Sequence, residues 1–191
     1  MKKFELTTNT KVFLGRKLFQ IKALISFSDV KEGELGGYIE KEENLSHDGN
    51  AWVYGDAKVC GDAKVYGNAE VYGDAKVYGN AWVYGDAWVY GDAEVYGNAK
   101  VYGDAEVCGN AEVCGNADYA TIKGFGTEFR TTTFFKCKDG ATRVRCGCFY
   151  GDLNEFRKQV KNTRKGKIAE EYLMIADLME KHFKEGGSQD V

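Results

Sequence analysis

Histidine is the side chain most often used as a general base near neutral pH, and it is scarce in this sequence. The chain has two histidines, His47 and His182. Neither lies in the long acidic stretch between residues 49 and 120, which is the most regular part of the chain. We expect both to be surface residues, so no catalytic residue is predicted and a binding protein is favoured over an enzyme.

Metal binding has two candidate sets of residues. Cys137, Cys146 and Cys148 with His182 could supply the four donors that zinc prefers, but C-x8-C-x-C is not a specific zinc spacing. Asp or Asn also recurs every six residues from residue 50 onward, whereas calcium-binding β-rolls use a nine-residue repeat. We therefore expect no metal and no cofactor, with the cysteines as reduced thiols and the Asp and Asn residues in turns.

These turns belong to one six-residue motif, G-(D/N)-A-x-V-(Y/C), which is repeated eleven times from Gly49 to Cys114. A degenerate twelfth copy, GNADYA, follows at 115–120. Alternation in Ala-x-Val predicts a short strand with one buried face, and the Gly-(Asp/Asn) pair predicts a corner. A fixed short period is typical of a solenoid. We predict a mainly β fold, a parallel β-helix of about four triangular coils with the valines and alanines of all copies inside.

The phrase V-(Y/C)-G-(D/N)-A-x resembles the hexapeptide repeat of left-handed parallel β-helix proteins. This resemblance implies a left-handed coil. The family includes acyltransferases with a site between the subunits of a trimer, which is the alternative enzymatic function. The flanks LFQIKALISFSDVKEGELGGYIEKEENLSHDGNAWVYGDA and TTTFFKCKDG…CGCFYGDLNEF resemble uncharacterised hexapeptide-repeat proteins of phages and bacterial mobile elements.

The flanks are expected to cap the solenoid, because its ends would otherwise expose unpaired backbone and an apolar cross-section. We predict an N-terminal β cap at 1–48, with strands at 11–15 and 17–27 and with Leu35, Ile39 and Leu45 in an irregular first coil. The solenoid occupies 49–120. A C-terminal cap at 121–191 should contain a β-hairpin, two α-helices from about 152 and 167, and a loose tail from 186.

The hairpin is centred on Asp139-Gly140, a pair favoured in tight turns. With Lys138 opposite Ala141, one face should be core. Its members are Thr133, Phe135, Cys137, Thr142, Val144, Cys146 and Cys148. The other face should be basic, and its charged members are Lys136, Lys138, Arg143 and Arg145. Four charges beside an acidic solenoid make nucleic acid an unfavoured partner.

The variable slot x should point outward, and an 18-residue coil places every third copy in one column. The three predicted columns are Trp52, Glu70, Trp88 and Glu106; Lys58, Lys76, Glu94 and Glu112; and Lys64, Trp82, Lys100 and Asp118. All three tryptophans of the chain should then be exposed. Corner tyrosines should stack as ladders beside them. We predict Trp52, Trp82, Trp88, Tyr72 and Tyr90 as a partner-binding surface, because Trp and Tyr are enriched in interfaces.

We therefore expect a non-enzymatic binding or scaffold protein that presents a rigid aromatic and acidic surface to a macromolecule. A protein is the favoured partner. A phage-encoded inhibitor that sequesters a host factor is one form of this function. Two other non-enzymatic alternatives are a self-assembling structural protein and a DNA mimic. Besides a protein partner, we expect the chain to form a homo-oligomer, a dimer or a trimer. The N-terminus lacks the apolar run of a signal peptide, so a cytoplasmic location is expected, in the host if phage-encoded, with no membrane partner.

Overall fold

The computed structural model describes residues 1–185, and the chain divides into two compact units, Met1–Asn116 and Ala117–Val191. The N-terminal segment that was predicted as a separate cap therefore belongs to the same unit as the repeats. The predicted tail at 186–191 lies outside the described residues. No helix within residues 1–185 is both long enough and apolar enough to cross a bilayer.

The first unit contains the predicted parallel β-solenoid of about four turns. Each of the eleven repeat copies forms a two-residue strand. The strands are β4 (Trp52–Val53), β5 (Lys58–Val59), β6 (Lys64–Val65), β7 (Glu70–Val71), β8 (Lys76–Val77), β9 (Trp82–Val83), β10 (Trp88–Val89), β11 (Glu94–Val95), β12 (Lys100–Val101), β13 (Glu106–Val107) and β14 (Glu112–Val113). Each strand pairs in parallel with the third strand along, as in Trp88 with Glu106, which produces three parallel ladders.

The interior of the solenoid is built from the two apolar slots of the repeat. The eleven valines from Val53 to Val113 and the eleven alanines from Ala51 to Ala111 are all at most 1% exposed. Glycine is required at the corners: Gly85 has a φ of +73°, and a Cβ built on it would lie 2.9 Å from the Gly103 nitrogen. Small residues therefore let successive coils approach closely, and each buried valine contributes roughly 1.5 kcal/mol or more.

The degenerate copy at 115–120 does not form a twelfth rung, and that prediction was wrong. Asn116–Asp118 is a short 3-10 helix, and Ala117 is exposed. The next strand, β15 (Tyr119–Ile122), pairs antiparallel with β16 (Thr132–Lys136) in the second unit. The physical reason is that this copy places the large ring of Tyr119 in the slot where the other copies have valine, and the interior has room only for the smaller side chain.

The N-terminal segment begins with an antiparallel sheet and ends as part of the solenoid. Its strands are β1 (Phe4–Phe13), β2 (Arg16–Ala23) and β3 (Leu35–Ile39). Strand β3 pairs in parallel with β5, and Leu45 forms a parallel bridge with Val65. The expectation of an irregular first coil is confirmed for Ile39 and Leu45, which are buried, but it is wrong for Leu35, which is 55% exposed.

Glycine and alanine carbonyls accept from N–H groups of the preceding coil, as the Ala105 oxygen does from Trp88 N at 2.8 Å, and the first coil has no regular coil before it to supply these donors. Lys3 satisfies two of these oxygens. Its Nζ donates to the carbonyls of Gly49 and Ala51 at 3.2 and 2.8 Å. The Lys3 residue is 1% exposed, and this burial lowers its pKa to about 8, although the Asp48 charge acts in the opposite direction.

Asn44 does the same for the neighbouring ladder with an uncharged group. Its Nδ2 donates to the carbonyls of Gly61 and Ala63 at 3.1 and 2.8 Å. At the other end of the solenoid the unpaired groups are N–H donors, and Asn116 Oδ1 accepts from Lys100 N at 2.9 Å. The two ends are thus closed by side chains of opposite hydrogen-bonding character.

The second unit is a four-stranded antiparallel sheet with two helices. The sheet has the order β15-β16-β17-β18, with β17 at Thr142–Cys146 and β18 at Phe149–Asp152. Helices α1 (Leu153–Thr163) and α2 (Gly166–Glu185) follow, as predicted. Asp152 and Glu155 form the predicted capping box, since each side chain accepts from the other's backbone N–H at 2.8 Å. The core residues are Phe134, Val144, Phe156, Val160, Tyr172, Ile175, Ala176 and Met179.

The predicted register of the hairpin was wrong by one residue. Cys137 N donates to the Ala141 oxygen, so the loop has three residues, Lys138 to Gly140, with Gly140 at a φ of +77°. Asp139-Gly140 therefore closes a loop with a bulge instead of a two-residue turn. Arg143 now lies opposite the fully buried Phe135, and the proposed core and basic faces are mixed.

Candidate binding surface on the solenoid

The variable slots form three columns, because pairing joins each slot to the slot one coil later. We name them by a central residue. The Trp88 column is Trp52, Glu70, Trp88 and Glu106, the Glu94 column is Lys58, Lys76, Glu94 and Glu112, and the Trp82 column is Lys64, Trp82 and Lys100. The prediction is confirmed for all of these residues and wrong for Asp118, which lies outside the ladders and pairs with Lys136.

Trp52 was predicted to be exposed, and this was wrong, since it is fully buried. Its ring contacts Phe4 and Phe27, with centroid distances of 6.2 and 5.4 Å and edge-on geometry. The slot does face away from the solenoid interior, but the N-terminal segment covers the first coil at this position. Trp52 is therefore a core residue and cannot contact a partner directly.

Trp82 is half-buried, and both sides of its ring are near lysines of the same column. The Nζ atoms of Lys64 and Lys100 lie 5.8 and 4.8 Å from the Trp82 ring centroid, within the range of cation–π attraction. Tyr66 also approaches its edge at 6.2 Å. Much of the surface that Trp82 could offer to another molecule is thus already in contact with this chain.

Trp88 is the most exposed tryptophan, at 42%. It lies in a shallow depression of about 360 Å³ with carboxylates on several sides. The other lining residues are Asn68, Glu70, Asp86, Asp104 and Glu106. Three of these side chains are held by hydrogen bonds: Asn68 Nδ2 donates to Asp86 at 3.0 Å, and Tyr90 Oη donates to Glu106 at 3.2 Å. We call these six residues the Trp88 surface.

Stacked tyrosines hold the corners beside the columns, as predicted. The Tyr72 and Tyr90 rings lie 4.8 Å apart and are inclined by 2°. Tyr66, Tyr84 and Tyr102 form a second stack, and Tyr78 and Tyr96 a third. Tyr72 and Tyr90 are half-buried, so the rings fix the corner beside Trp88 and present only part of their area. Their predicted contact with a partner stays a prediction.

The carboxyl group of Glu70 lies where ionisation is disfavoured. Burial raises its pKa, and the nearby Asp29 carboxylate raises it further. Asp29 itself accepts a hydrogen bond from Tyr54 Oη at 3.0 Å. One acidic neighbour and a half-buried position thus oppose ionisation of Glu70, which lines the Trp88 surface.

The Glu94 column is already paired within the chain. Lys76 Nζ donates to Glu94 at 2.9 Å, and the Tyr78 hydroxyl donates to the same carboxylate at 3.0 Å. The Tyr96 hydroxyl donates to Glu112 at 2.8 Å. Both glutamates at the C-terminal end of this column are therefore hydrogen-bonded to side chains of the same chain.

The predicted basic face does not exist as one surface. Lys136 shares its side of the sheet with Phe134 and forms an ion pair with Asp118 at 2.8 Å. Arg143 lies on the opposite side and pairs with Asp139 at 2.6 Å. Lys138 is in the hairpin loop, and Arg145 lies opposite Thr133. The one-residue register difference separates these four charges, and two of them are neutralised locally.

The residues considered for catalysis and metal binding do not form a cluster. Cys137 is buried, Cys146 is half-buried and Cys148 is exposed, so the expectation that all three lie on one core face was wrong. His47 accepts from Lys3 N and stacks on Phe4, and His182 is exposed on α2. Within residues 1–185, no group of three or more His, Cys, Asp or Glu side chains is arranged to hold a metal ion.

Residues 75–91 match a family model described as the YdcK beta solenoid repeat. The matched segment contains β8, β9 and β10, together with the corners between them, so it lies in the middle of the stacked coils. A comparison with curated proteins gave no match. The resemblance of the flanks to phage and mobile-element proteins stays a prediction. The eleven stacked rungs and this match show that the chain is a repeat-based parallel β-helix protein.

Proposed function

We propose that the protein is a non-enzymatic binding protein that uses the Trp88 surface to hold a basic segment of a protein partner. The observation that carries this proposal is a 42% exposed tryptophan with four carboxylates, Glu70, Asp86, Asp104 and Glu106, around it. In the adjacent columns lysines contact the tryptophan or pair with the glutamates. The depression around Trp88 is lined by no lysine or arginine.

The chemistry of this surface suits a lysine or arginine side chain. A cation placed over an indole ring gains about 0.5–2 kcal/mol, and surrounding carboxylates attract it and can accept its hydrogen bonds. Arginine fits best, because its flat guanidinium stacks on aromatic rings and pairs with carboxylates through two hydrogen bonds. The expected epitope is therefore an exposed basic loop or helix.

Rigidity supports the same function. Trp88 lies in a strand that pairs with rungs on both sides, and the corner beside it is fixed by the stacked rings of Tyr72 and Tyr90. Little side-chain freedom remains to be lost on binding, and such preorganisation raises affinity. The unfavourable ionisation of Glu70 is also understandable if this carboxylate is maintained for a cationic partner.

In the cell, the protein would act by sequestering another protein. A nucleic-acid-binding protein of a host cell fits the expected epitope, since its basic surface would be covered by the carboxylates of the Trp88 surface. In that case the protein would act as an inhibitor by occupying the site of the nucleic acid. The predicted resemblance of the flanks to phage proteins is the reason for proposing a host protein as the target.

The test is capture of partners from the cell that makes the protein, followed by calorimetry with the captured protein. Trp88→Ala should weaken binding about 30-fold or more, as expected for a tryptophan in the centre of an interface. Raising the salt concentration should weaken it further, because the carboxylates act through exposed charges.

Trp82→Ala is the matched control, since it removes the same side chain from the same slot in the next column. It should change the affinity by less than about threefold, and both variants should keep the wild-type circular dichroism. Equal affinities of the Trp88→Ala variant and the wild type for the captured partner would disprove the proposed surface. A partner whose binding is lost only in the Trp82→Ala variant would do the same.

A further inference from the structure

A cavity of about 370 Å³ lies within the second unit, far in sequence from the Trp88 surface. Its volume falls in the range of about 300–1,000 Å³ that is typical of small-ligand sites. Aromatic rings form one wall. Phe156 makes a tilted contact with Phe149 at 5.5 Å and an edge-on contact with Tyr172 at 5.9 Å. These rings give one side of the cavity an apolar lining.

Two arginines line the same cavity, and their charges act on the same atom. The guanidinium groups of Arg130 and Arg164 both favour the ionised form of the Tyr172 hydroxyl, although burial is the larger effect and raises the pKa of Tyr172 overall. That hydroxyl donates to the Phe125 carbonyl at 3.2 Å and is therefore fixed in place. Both cationic residues therefore line the same cavity as the aromatic rings.

Neither arginine is strongly neutralised by the protein. Arg130 has one acidic neighbour, Glu128, at 3.9 Å, which is at the outer limit of an ion pair and highly exposed. Arg164 has no acidic partner among residues 1–185, and the one hydrogen bond of its guanidinium is a long contact of 3.4 Å to the Thr163 carbonyl. Two positive charges in the lining of one cavity, neither with a strong acidic partner, favour an anion.

The backbone is shaped to admit the Arg130 side chain. Gly147 has a φ of +57°, and a Cβ built on it would lie 2.7 Å from Arg130 Nη1. A larger residue at this position would therefore displace the guanidinium. The thiol of Cys146, also in the lining, accepts from Thr132 Oγ1 at 3.1 Å, and this contact holds it at the edge of the aromatic wall.

We propose that this cavity binds a small organic anion with a flat apolar body. The body would lie against Phe149, Phe156 and Tyr172, and a carboxylate or phosphate group would lie between Arg130 and Arg164. The site is independent of the proposed protein-binding function. It assigns a small-molecule ligand to the unit that contains no solenoid repeat.

The experiment uses the full-length protein and three probes with the same ring system. These are 2-naphthoate, 2-naphthyl phosphate and the uncharged 2-naphthylmethanol, titrated by isothermal calorimetry. At least one anion should bind, and at least about tenfold more tightly than the alcohol, because a hydrogen bond to a charged group contributes about 1.5–3 kcal/mol. The stronger of the two anions identifies the preferred head group. Absence of binding by both anions, or equal binding of the alcohol, would overturn the proposal.

Arg164→Gln tests the site directly, since this exposed residue is not needed for any ion pair of the fold. The variant should bind the preferred anion at least about tenfold more weakly. Lys161→Gln is the matched control, because it removes one positive charge from the last turn of α1, which ends directly before Arg164, at a position outside the cavity lining. Its affinity for the preferred anion should stay within about twofold of the wild type. If the two variants lost affinity equally, the effect would come from the overall charge, and the proposed site would be refuted.

Discussion

Replacing Lys3 by glutamine should change how the stability of the protein depends on pH. Lys3 is a buried lysine that closes the N-terminal end of the solenoid by donating to the Gly49 and Ala51 carbonyls. A glutamine amide can donate to the same kind of carbonyl pair without a charge, as Asn44 does in the neighbouring ladder. The substitution should therefore remove the charge and keep at least part of the hydrogen bonding.

The magnitude follows from the pKa of Lys3, which burial lowers from 10.5 to about 8. Since the folded pKa is the lower one, the unfolded chain binds more protons between these two values, and stability must rise with pH in this window. Each pKa unit corresponds to about 1.36 kcal/mol, so burial of the charge costs about 3 kcal/mol at neutral pH. About 1 kcal/mol of this should be regained between about pH 7 and about pH 9.

Urea denaturation at these two pH values measures the effect. The free energy of unfolding of the wild type should rise by about 1 kcal/mol relative to the Lys3→Gln variant between about pH 7 and about pH 9. Lys31→Gln, at an exposed lysine in the same N-terminal segment, should follow the wild type. If the difference in unfolding free energy between the wild type and Lys3→Gln changed by less than about 0.3 kcal/mol between the two pH values, the buried charge would be refuted.

Two further predictions concern the corners and the Trp88 surface. Gly85→Ala should destabilise the protein about 1–3 kcal/mol more than Gly103→Ala in urea denaturation, because both glycines have a positive φ but only Gly85 places its Cβ against the next coil. Equal losses would mean that coil spacing is not limited by this contact. Glu70→Gln should raise the melting temperature near neutral pH, since burial and Asp29 raise the pKa of the carboxyl in the folded state. This gain should shrink as the pH falls through the folded pKa and vanish below the unfolded value, where the wild-type side chain is protonated in both states; a gain that persists there would contradict the argument.

The architecture could be predicted from the sequence because the repeat specifies the same local conformation at every copy. Valine and alanine alternate with an outward slot, and glycine supplies a positive φ at each corner, as at Gly85. Pairing one coil apart then follows from geometry, and it places Trp88 between Glu70 and Glu106 as predicted.

The errors lie where residues outside the repeat decide the outcome. The pattern gives the direction of the Trp52 slot, but it does not show that Phe4 and Phe27 fold over it. The hairpin register depended on whether Asp139-Gly140 forms a two-residue turn or a loop with a bulge, and both are compatible with that pair. The cavity of the second unit was missed because Arg130 and Arg164 are separated in sequence and carry no recognisable motif.

Strand pairing joins positions 18 residues apart, as the contact between Asn50 and Asn68 shows. Loss or gain of one 18-residue block would therefore shorten or lengthen the solenoid by one coil while both ends kept their closing side chains. A change of six residues would instead turn everything beyond it by one sheet, so that the Trp88 column would continue with residues of a neighbouring column. Near-identical copies make both events accessible by recombination within the coding sequence, and only the first keeps the three columns in register.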